Sequence, residues 1–135
     1  MGKSAPLFSL PDAKTHEPVD IRYLRGKKTI LSTWATWSPH AQIQIPILDA
    51  IAKNDPNNVR VLLVSLQQSS GVVETYLRRG NYSIPSIVDT EGKITSIYPI
   101  YSLPQHFFID RKGIIRDIHI GFIDEKTIRE KLDKL

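Results

Sequence analysis

A strand that runs directly into a helix dictates most of what this chain can fold into. Residues 29–35 are almost all apolar or β-branched, as in a strand that is buried on both faces. Ser38 is a typical N-cap residue and Pro39 suits a first helical position, so we predict a helix from this point. Such a helix start directs free backbone N–H groups and a positive dipole end forward, and this would suit a reactive thiolate. Both tryptophans of the chain, Trp34 and Trp37, lie on this turn.

Strand and helix patterns alternate along the rest of the chain. The predicted elements are a strand over 59–66, a helix over 71–79, an extended piece over 84–89, a brief helix over 94–100, a hairpin over 107–120 and a closing helix over 124–135. Alternation of this kind needs right-handed parallel crossovers, and the hairpin adds antiparallel strands at the edge of the sheet. We therefore predict an α/β fold with a central mixed β-sheet, helices on both faces and an N-terminal β-hairpin extension.

Apolar side chains at helical spacing identify the helix faces that should be buried. In the first helix they are Ile43, Ile47, Leu48 and Ile51. In the second helix they are Val72, Val73, Tyr76 and Leu77. Pro46 lies inside the first pattern, where its missing N–H should kink the helix. Among the acidic residues, we expect Glu74 and Asp89 to be solvated.

Length and charge limit the range of functions. A chain of 135 residues corresponds to a single domain over 1–135, with residues 1–4 as a candidate remnant of expression or of signal removal. The 18 Lys and Arg residues are scattered among 14 Asp and Glu residues, so we expect no nucleic-acid partner. No stretch approaches the ~18 apolar residues of a membrane span, and residues 1–4 carry no apolar signal core. We therefore expect a soluble monomer.

Five segments match motifs that occur together in one protein family. They are Ala5–Leu10 (A-P-x-F-x-L), Leu24–Lys27 (L-[KR]-G-K), Thr33–Trp37 (F-W-A-T-W), Ile87–Gly92 and Leu103–Gly113 (hP-x-x-F-hI-[DN]-x-x-G). The chain resembles the TlpA/ResA-like thiol–disulfide oxidoreductases, AhpC/TSA-related members of the thioredoxin superfamily, over nearly its whole length. The resemblance implies a thioredoxin-like fold and disulfide exchange on extracytoplasmic protein clients, in the periplasm or tethered to a membrane, without a cofactor.

The residues that carry this family's chemistry are absent. The chain has no cysteine, and Ser38 and Ala41 stand where the family has the two cysteines of its Cys-x-x-Cys motif. Gln44 takes the position of a glutamate that assists proton transfer in many members, and an amide cannot titrate. Because one thiolate attacks the substrate disulfide and a second thiol resolves the mixed disulfide, we predict an inactive enzyme. Zero cysteines also exclude structural disulfides and thiolate metal sites.

Other residues of the site match the family. The resemblance makes Leu103–Pro104 a cis peptide bond that faces the motif and leaves the preceding backbone free to pair with an extended substrate. Pro39 and His40 lie inside the motif, and Trp37 borders it, where we expect contact with a polypeptide client or a redox partner. Trp34 is expected to pack in the core.

Two other chemistries remain open at this turn. Ser38 could act as a nucleophile, but no acid is evident to orient His40, so an N-cap or a replaced cysteine is the favoured interpretation. His40 and His106 could approach each other across the groove, but a third ligand is missing and we predict no metal site. His16 and His119 are expected on the surface or on an edge strand.

Three hypotheses account for the missing cysteines. They were replaced by engineering, or they were lost naturally in a protein that still binds extended polypeptide, or the domain has only a structural or assembly role. Ser38, Ala41 and Gln44 favour natural loss, because a design would replace both cysteines alike and would not need the glutamine. The intact Trp34–Trp37 and Leu103–Pro104 segments indicate that the architecture of the groove has been kept.

Overall fold

The structure is a computed structural model that describes residues 2–5 and 8–135. Its elements are β1 (Ser9–Pro11), β2 (Pro18–Asp20), a 3-10 turn (Ile21–Leu24), β3 (Lys28–Trp34), α1 (Ala41–Asn54), β4 (Val59–Leu66), α2 (Ser70–Arg79), β5 (Ser86–Asp89), α3 (Lys93–Ile97), β6 (Gln105–Ile109), β7 (Ile115–Ile120) and α4 (Glu125–Asp133). Parts of the candidate remnant and of the A-P-x-F-x-L motif fall on Met1, Pro6 and Leu7, which lie outside the described residues.

Five strands form one sheet in the order β5–β4–β3–β6–β7. The strands β3, β4 and β5 are parallel, whereas β6 is antiparallel to β3 and β7 is antiparallel to β6. β1 and β2 form a two-stranded antiparallel sheet, and a bridge between Asp12 and Ile87 joins this hairpin to β5. The predicted mixed sheet and the N-terminal hairpin are therefore confirmed.

Side chains of β3 enter two hydrophobic clusters, one on each face of the sheet. Ile30 and Trp34 pack with residues of α1, α2 and α4, whereas Leu31 packs with residues of α3, the 3-10 turn and the N-terminal hairpin. Every residue from Thr29 to Trp34 is buried. Burial on both faces explains why this strand is a continuous apolar run instead of an alternating one.

The predicted buried face of α1 is wrong at one position. Ile43 is 52% exposed, because the buried series begins at Ala41 and continues through Ile45 and Leu48, which turns Ile43 to the outer side. The helix continues through Pro46, and the kink expected there stays a prediction.

The predicted face of α2 is also wrong at one position. Val72 is 49% exposed, whereas Val73 and Leu77 are buried against the sheet. The helix starts one residue earlier than predicted, and the side chain of Ser69 accepts a hydrogen bond from the N–H of Val72 as its N-cap. Val73, Tyr76 and Leu77 share the face of this short helix that packs on the core, and Val72 lies outside that face and points outward.

Asp89 is buried, which contradicts the expectation that it is solvated. Its Oδ1 accepts a hydrogen bond from the N–H of Lys93 at 2.7 Å, and its Oδ2 accepts one from the N–H of Ile94 at 2.6 Å. A carboxylate can be buried when backbone donors satisfy it, and here it serves the start of α3. Glu74 is partly exposed and pairs with Arg78 on the surface of α2.

Candidate functional site

The passage from β3 to α1 consists of two successive turns. The N–H of Ser38 donates to the carbonyl of Ala35 at 3.1 Å, and the N–H of Ala41 donates to the carbonyl of Ser38 at 3.1 Å. The helix therefore begins at Ala41 with His40 as its N-cap residue, and the prediction that Ser38 caps it is wrong. Pro39 lies in the second turn and not at the first helical position. The physical reason is that the backbone of Ser38 takes part in both turns.

Ser38 and Ala41 lie beside the proline loop that follows α3. Both are buried, and both line a cavity of about 10 Å³ together with Gln44 and Pro104. The Leu103–Pro104 peptide bond is cis, as the resemblance predicts. The two positions that the family fills with cysteines therefore share a cavity with this proline, and the cavity has room for about one water molecule.

The two tryptophans of the turn have different environments. Trp34 is buried, its Nε1–H donates to the hydroxyl of Ser86 at 3.0 Å, and its ring lies 5.2 Å from that of Tyr76. Trp37 is 71% exposed. The expectation that Trp34 packs in the core is confirmed, and Trp37 is open to contact from outside.

Exposed aromatic side chains lie on the segments that adjoin the cavity. Tyr101, three residues before the cis-proline, is 74% exposed. The ring of exposed His40 stacks on Phe122 with 6.4 Å between the ring centroids. We call the surface formed by residues 37–41, residues 101–104 and Phe122 the groove.

The backbone of Leu103 is unpaired in this groove. Within the part of the chain that the structure describes, neither its N–H nor its C=O has a hydrogen-bond partner. The following residues are paired, since the N–H of Gln105 donates to Oγ1 of Thr33 at 3.1 Å and the C=O of Pro104 accepts from Gly121 at 2.8 Å. A residue with both backbone groups available can pair with a residue of another extended chain.

Two glutamine side chains hold the loops on either side of the groove. Gln68 accepts a hydrogen bond from the N–H of Thr36 at 2.8 Å and donates one to its hydroxyl at 2.6 Å. Gln105 accepts from the N–H of Tyr101 at 2.8 Å and donates to the carbonyl of Pro99 at 2.8 Å. Because a primary amide donates and accepts at once, one side chain satisfies two polar groups of each loop.

Gln44 joins α1 to the segment between β7 and α4. It is buried, its Oε1 accepts from the N–H of Ile123 at 2.9 Å, and its Nε2 donates to the carbonyl of Ile123 at 3.1 Å. The sequence identifies Gln44 only as a residue that cannot titrate, and it does not single out Gln68 or Gln105 at all. No local sequence pattern could reveal the pairing of Gln44 with Ile123, because the two residues lie 79 positions apart in the chain.

His106 is fully buried in β6 and does not flank the groove as expected. Its Nδ1 lies 2.7 Å from the hydroxyl of Ser32, and its Nε2 has no partner among the described residues. The pKa of His106 is lowered to about 3, mainly because the ring is buried and to a smaller extent because His119 is near. This imidazole is therefore neutral near pH 7. His119 lies on the edge strand β7, as expected, with Nε2 2.9 Å from the carbonyl of Phe122. His40 is exposed, so the two histidines considered as a metal pair lie in different environments.

The arrangement does not provide the parts of a hydrolase. Across residues 2–5 and 8–135, His40 has no carboxylate partner that could orient it toward Ser38. The same residues contain no group of three or more His, Asp or Glu side chains that could hold a metal ion. Among the described helices, none is both long and apolar enough to cross a membrane.

We expect Gln44→Glu to destabilise the fold in a pH-dependent way. At pH 7 the carboxylate could accept from the N–H of Ile123 but would face its carbonyl without a proton, which should lower the free energy of unfolding by about 3 kcal/mol. Burial raises the folded-state pKa of the new carboxyl above its unfolded value of about 4.3, so the loss is largest above the folded pKa and shrinks as the pH falls through it. Urea unfolding between pH 7 and pH 4 measures this.

Gln68→Glu is the matched control for this substitution. The hydroxyl of Thr36 can rotate from acceptor to donor and satisfy a carboxylate at this half-buried position. The free energy of unfolding should fall by less than about 1 kcal/mol, with little dependence on pH. If both variants lose the same free energy of unfolding, the carbonyl of Ile123 is not the reason why position 44 requires an amide.

Comparison with known proteins agrees with the motifs of the sequence. The profile of the AhpC/TSA family matches residues 1–118. Thioredoxin-like protein YneN of Bacillus subtilis (strain 168) is 30% identical over 135 residues, which cover 98% of this chain and 78% of YneN. Thiol-disulfide oxidoreductase ResA of Geobacillus kaustophilus is 27% identical over 136 residues, which cover 100% of this chain and 78% of ResA.

A solved structure shows the same fold. The exposed lipoprotein thioredoxin Etrx1 of Streptococcus pneumoniae superposes with a TM-score of 0.85 at 28% identity, over 96% of this chain and 100% of Etrx1. The thioredoxin-like fold expected from the resemblance is therefore confirmed. Since the family profile covers most of the sequence, the chain belongs to the AhpC/TSA family, and its place among the TlpA/ResA-like thiol–disulfide oxidoreductases is confirmed with both motif cysteines replaced.

Proposed function

We propose that this chain binds an extended segment of another polypeptide in the groove and does not catalyse thiol–disulfide exchange. The observation that carries the proposal is the unpaired backbone of Leu103, beside cis-Pro104, which shares a cavity with Ser38. A segment lying along residues 101–104 would supply partners for this N–H and C=O, as when a strand is added to a sheet edge. Trp37 is exposed within the same groove and can cover side chains of the bound segment.

The inactivity follows from the groups present at the two motif positions. Exchange begins with a thiolate, but the hydroxyl of Ser38 does not ionise near neutral pH and the methyl of Ala41 cannot resolve a mixed disulfide. Gln44 is committed to both backbone groups of Ile123 and cannot take up or release a proton. The groove therefore offers binding without electron transfer, and no electron-donating partner is needed.

The bonds of Gln44 support a natural loss of the cysteines. Its amide satisfies both the N–H and the C=O of Ile123, which a carboxylate at neutral pH could not do. A substitution made only to remove thiols has no reason to install this pairing. The residue therefore fits a site that has adapted to working without redox chemistry, as a binding module that retains the groove.

We also propose an extracytoplasmic location for the protein. Etrx1, which shares the fold over nearly the whole chain, is an exposed lipoprotein. By this similarity the clients would be polypeptides outside the cytoplasm. A fusion of the natural gene product to a reporter enzyme that folds only after export should be active, and a reporter that is active only in the cytoplasm would contradict this placement.

The double substitution Ser38→Cys and Ala41→Cys tests whether only the sulfurs are missing. The hydrogen bond from the N–H of Ala41 to the carbonyl of Ser38 holds the two residues in one tight turn, which is compatible with a disulfide. We expect this variant to lose two hydrogens on oxidation, as measured by mass spectrometry, whereas the single Ser38→Cys control cannot close the ring.

Insulin reduction then separates the accounts of the lost chemistry. The unmodified chain should show no turnover, and turnover by it would contradict the proposed inactivity. We expect the folded double variant to remain slow, because the amide of Gln44 cannot assist proton transfer. Rapid turnover by the double variant would indicate instead that the two thiols are all that was removed.

Hydrogen exchange at Leu103 tests the binding proposal directly. In the free protein its N–H has no partner among the described residues and should exchange quickly. A short extended peptide of Val, Ile and Tyr should slow this exchange at least about tenfold, as measured by NMR. The same peptide N-methylated at the pairing residue is the control and should give less protection. Peptide binding that leaves the Leu103 amide unchanged would contradict the proposed groove.

A further inference from the structure

Three segments that surround the groove contain no charged residue. Asp, Glu, Lys and Arg are absent from residues 29–48, from residues 94–109 and from residues 118–123, although 24% of the chain is charged. These segments supply the turn before α1, the cis-proline loop and Phe122. These segments therefore contribute no carboxylate, ammonium or guanidinium group to the surface around the groove.

Exposed apolar side chains are concentrated on the same three segments. Of the six large hydrophobic side chains that are exposed in the described chain, five lie there: Trp37, Ile43, Tyr101, Ile120 and Phe122. The sixth, Val72, lies on α2. Hydrophobic side chains that cluster on one surface, with no charge between them, mark a site of interaction.

Contacts within the protein place two of these side chains, Phe122 and Tyr101, beside the proline loop. The N–H of Gly121 donates to the carbonyl of Pro104 at 2.8 Å, which sets Phe122 beside the proline loop. The stack between Phe122 and His40 then connects this segment to the turn before α1. On the other side, Gln105 holds Tyr101 by its backbone N–H. Phe122 and Tyr101 therefore both adjoin the loop that contains the unpaired backbone of Leu103.

We infer that the groove selects extended segments that carry large apolar side chains and no charge. This inference rests on the proposed function and names the class of polypeptide that the groove binds: stretches that a folded protein buries and an incompletely folded protein exposes. Apolar side chains of such a stretch would be removed from water against Trp37 and Tyr101. A charged side chain of either sign would lose water without finding an opposite charge on the three segments, so both signs should be rejected.

The fluorescence of Trp37 provides the measurement. Trp34 is buried and hydrogen-bonded, so a change in emission on binding reports on Trp37. A peptide of Val, Ile and Tyr should shift the emission to shorter wavelength. Replacing the central residue of the peptide by Asp or by Lys should weaken binding at least about tenfold in each case.

The outcomes separate this inference from the proposed function. If the charged peptides bind as tightly as the apolar one and still protect the Leu103 amide, the selectivity is wrong and the binding function stands. If no peptide protects that amide, the proposed function fails. If the free protein self-associates and its emission shifts with concentration in a way that peptide cannot reverse, a second copy occupies the surface and the inference is overturned.

A charge placed in the groove gives an independent test. Tyr101 is highly exposed, so Tyr101→Asp should leave the fold intact. We expect this variant to bind the Lys peptide several-fold more tightly than the Asp peptide, because the new carboxylate attracts one and repels the other. Val72→Asp places the same charge on an exposed apolar position of α2 and should leave the ranking of the peptides unchanged. An unchanged ranking in Tyr101→Asp would overturn the inference.

Discussion

Backbone hydrogen bonding in the loops around β3 is the constraint on which this structure depends. The strand is buried on both faces and paired on both edges. The backbone N–H and C=O groups of the turns beyond it have no neighbouring strand to pair with and need other hydrogen-bond partners. Primary amides solve the problem at Thr36, at Tyr101 and at Ile123, because each amide supplies a donor and an acceptor. Among the described residues no such amide meets Leu103, and its N–H and C=O are unpaired there.

Most of the fold could be predicted from the sequence because the apolar pattern survives in nearly every element. The continuous run of β3 predicts burial on both faces, and the glycine-containing turn predicts the β6–β7 hairpin. The residues at which the helices start are harder to predict from the sequence. Ser38 and Pro39 have the local preferences of a helix start, but the turns from Ala35 to Ser38 and from Ser38 to Ala41 use that backbone first. The buried face of α1 runs through Ala41, Ile45 and Leu48, and helical spacing leaves Ile43 on the outer side.

The place of the candidate site could be predicted, but the bonds that shape it could not. The motifs bring Ser38 and Pro104 together by resemblance, and the two do share a cavity. Asp89 and His106 show the limit, because both are polar, both were expected outside the core, and both are buried. Two nearby backbone N–H groups satisfy Asp89, and Ser32 on the neighbouring strand meets His106. A residue type does not reveal whether such a partner exists, since the partner is brought close only by folding.

Removing the thiols changes which residues are favourable elsewhere in the site. A buried glutamate at position 44 is useful to an enzyme that moves protons, although its charge is unfavourable in the interior. Under the proposed function no proton moves, and an amide bonded to both backbone groups of Ile123 is then the more stable choice. The same reasoning applies to the surface. Aromatic anchors such as Trp37, which belongs to the family motif, and Tyr101 can give a binding module affinity. Under the proposed function, the amide at position 44 and the lack of charged residues on the segments around the groove both fit one change, from exchanging disulfides to holding polypeptide.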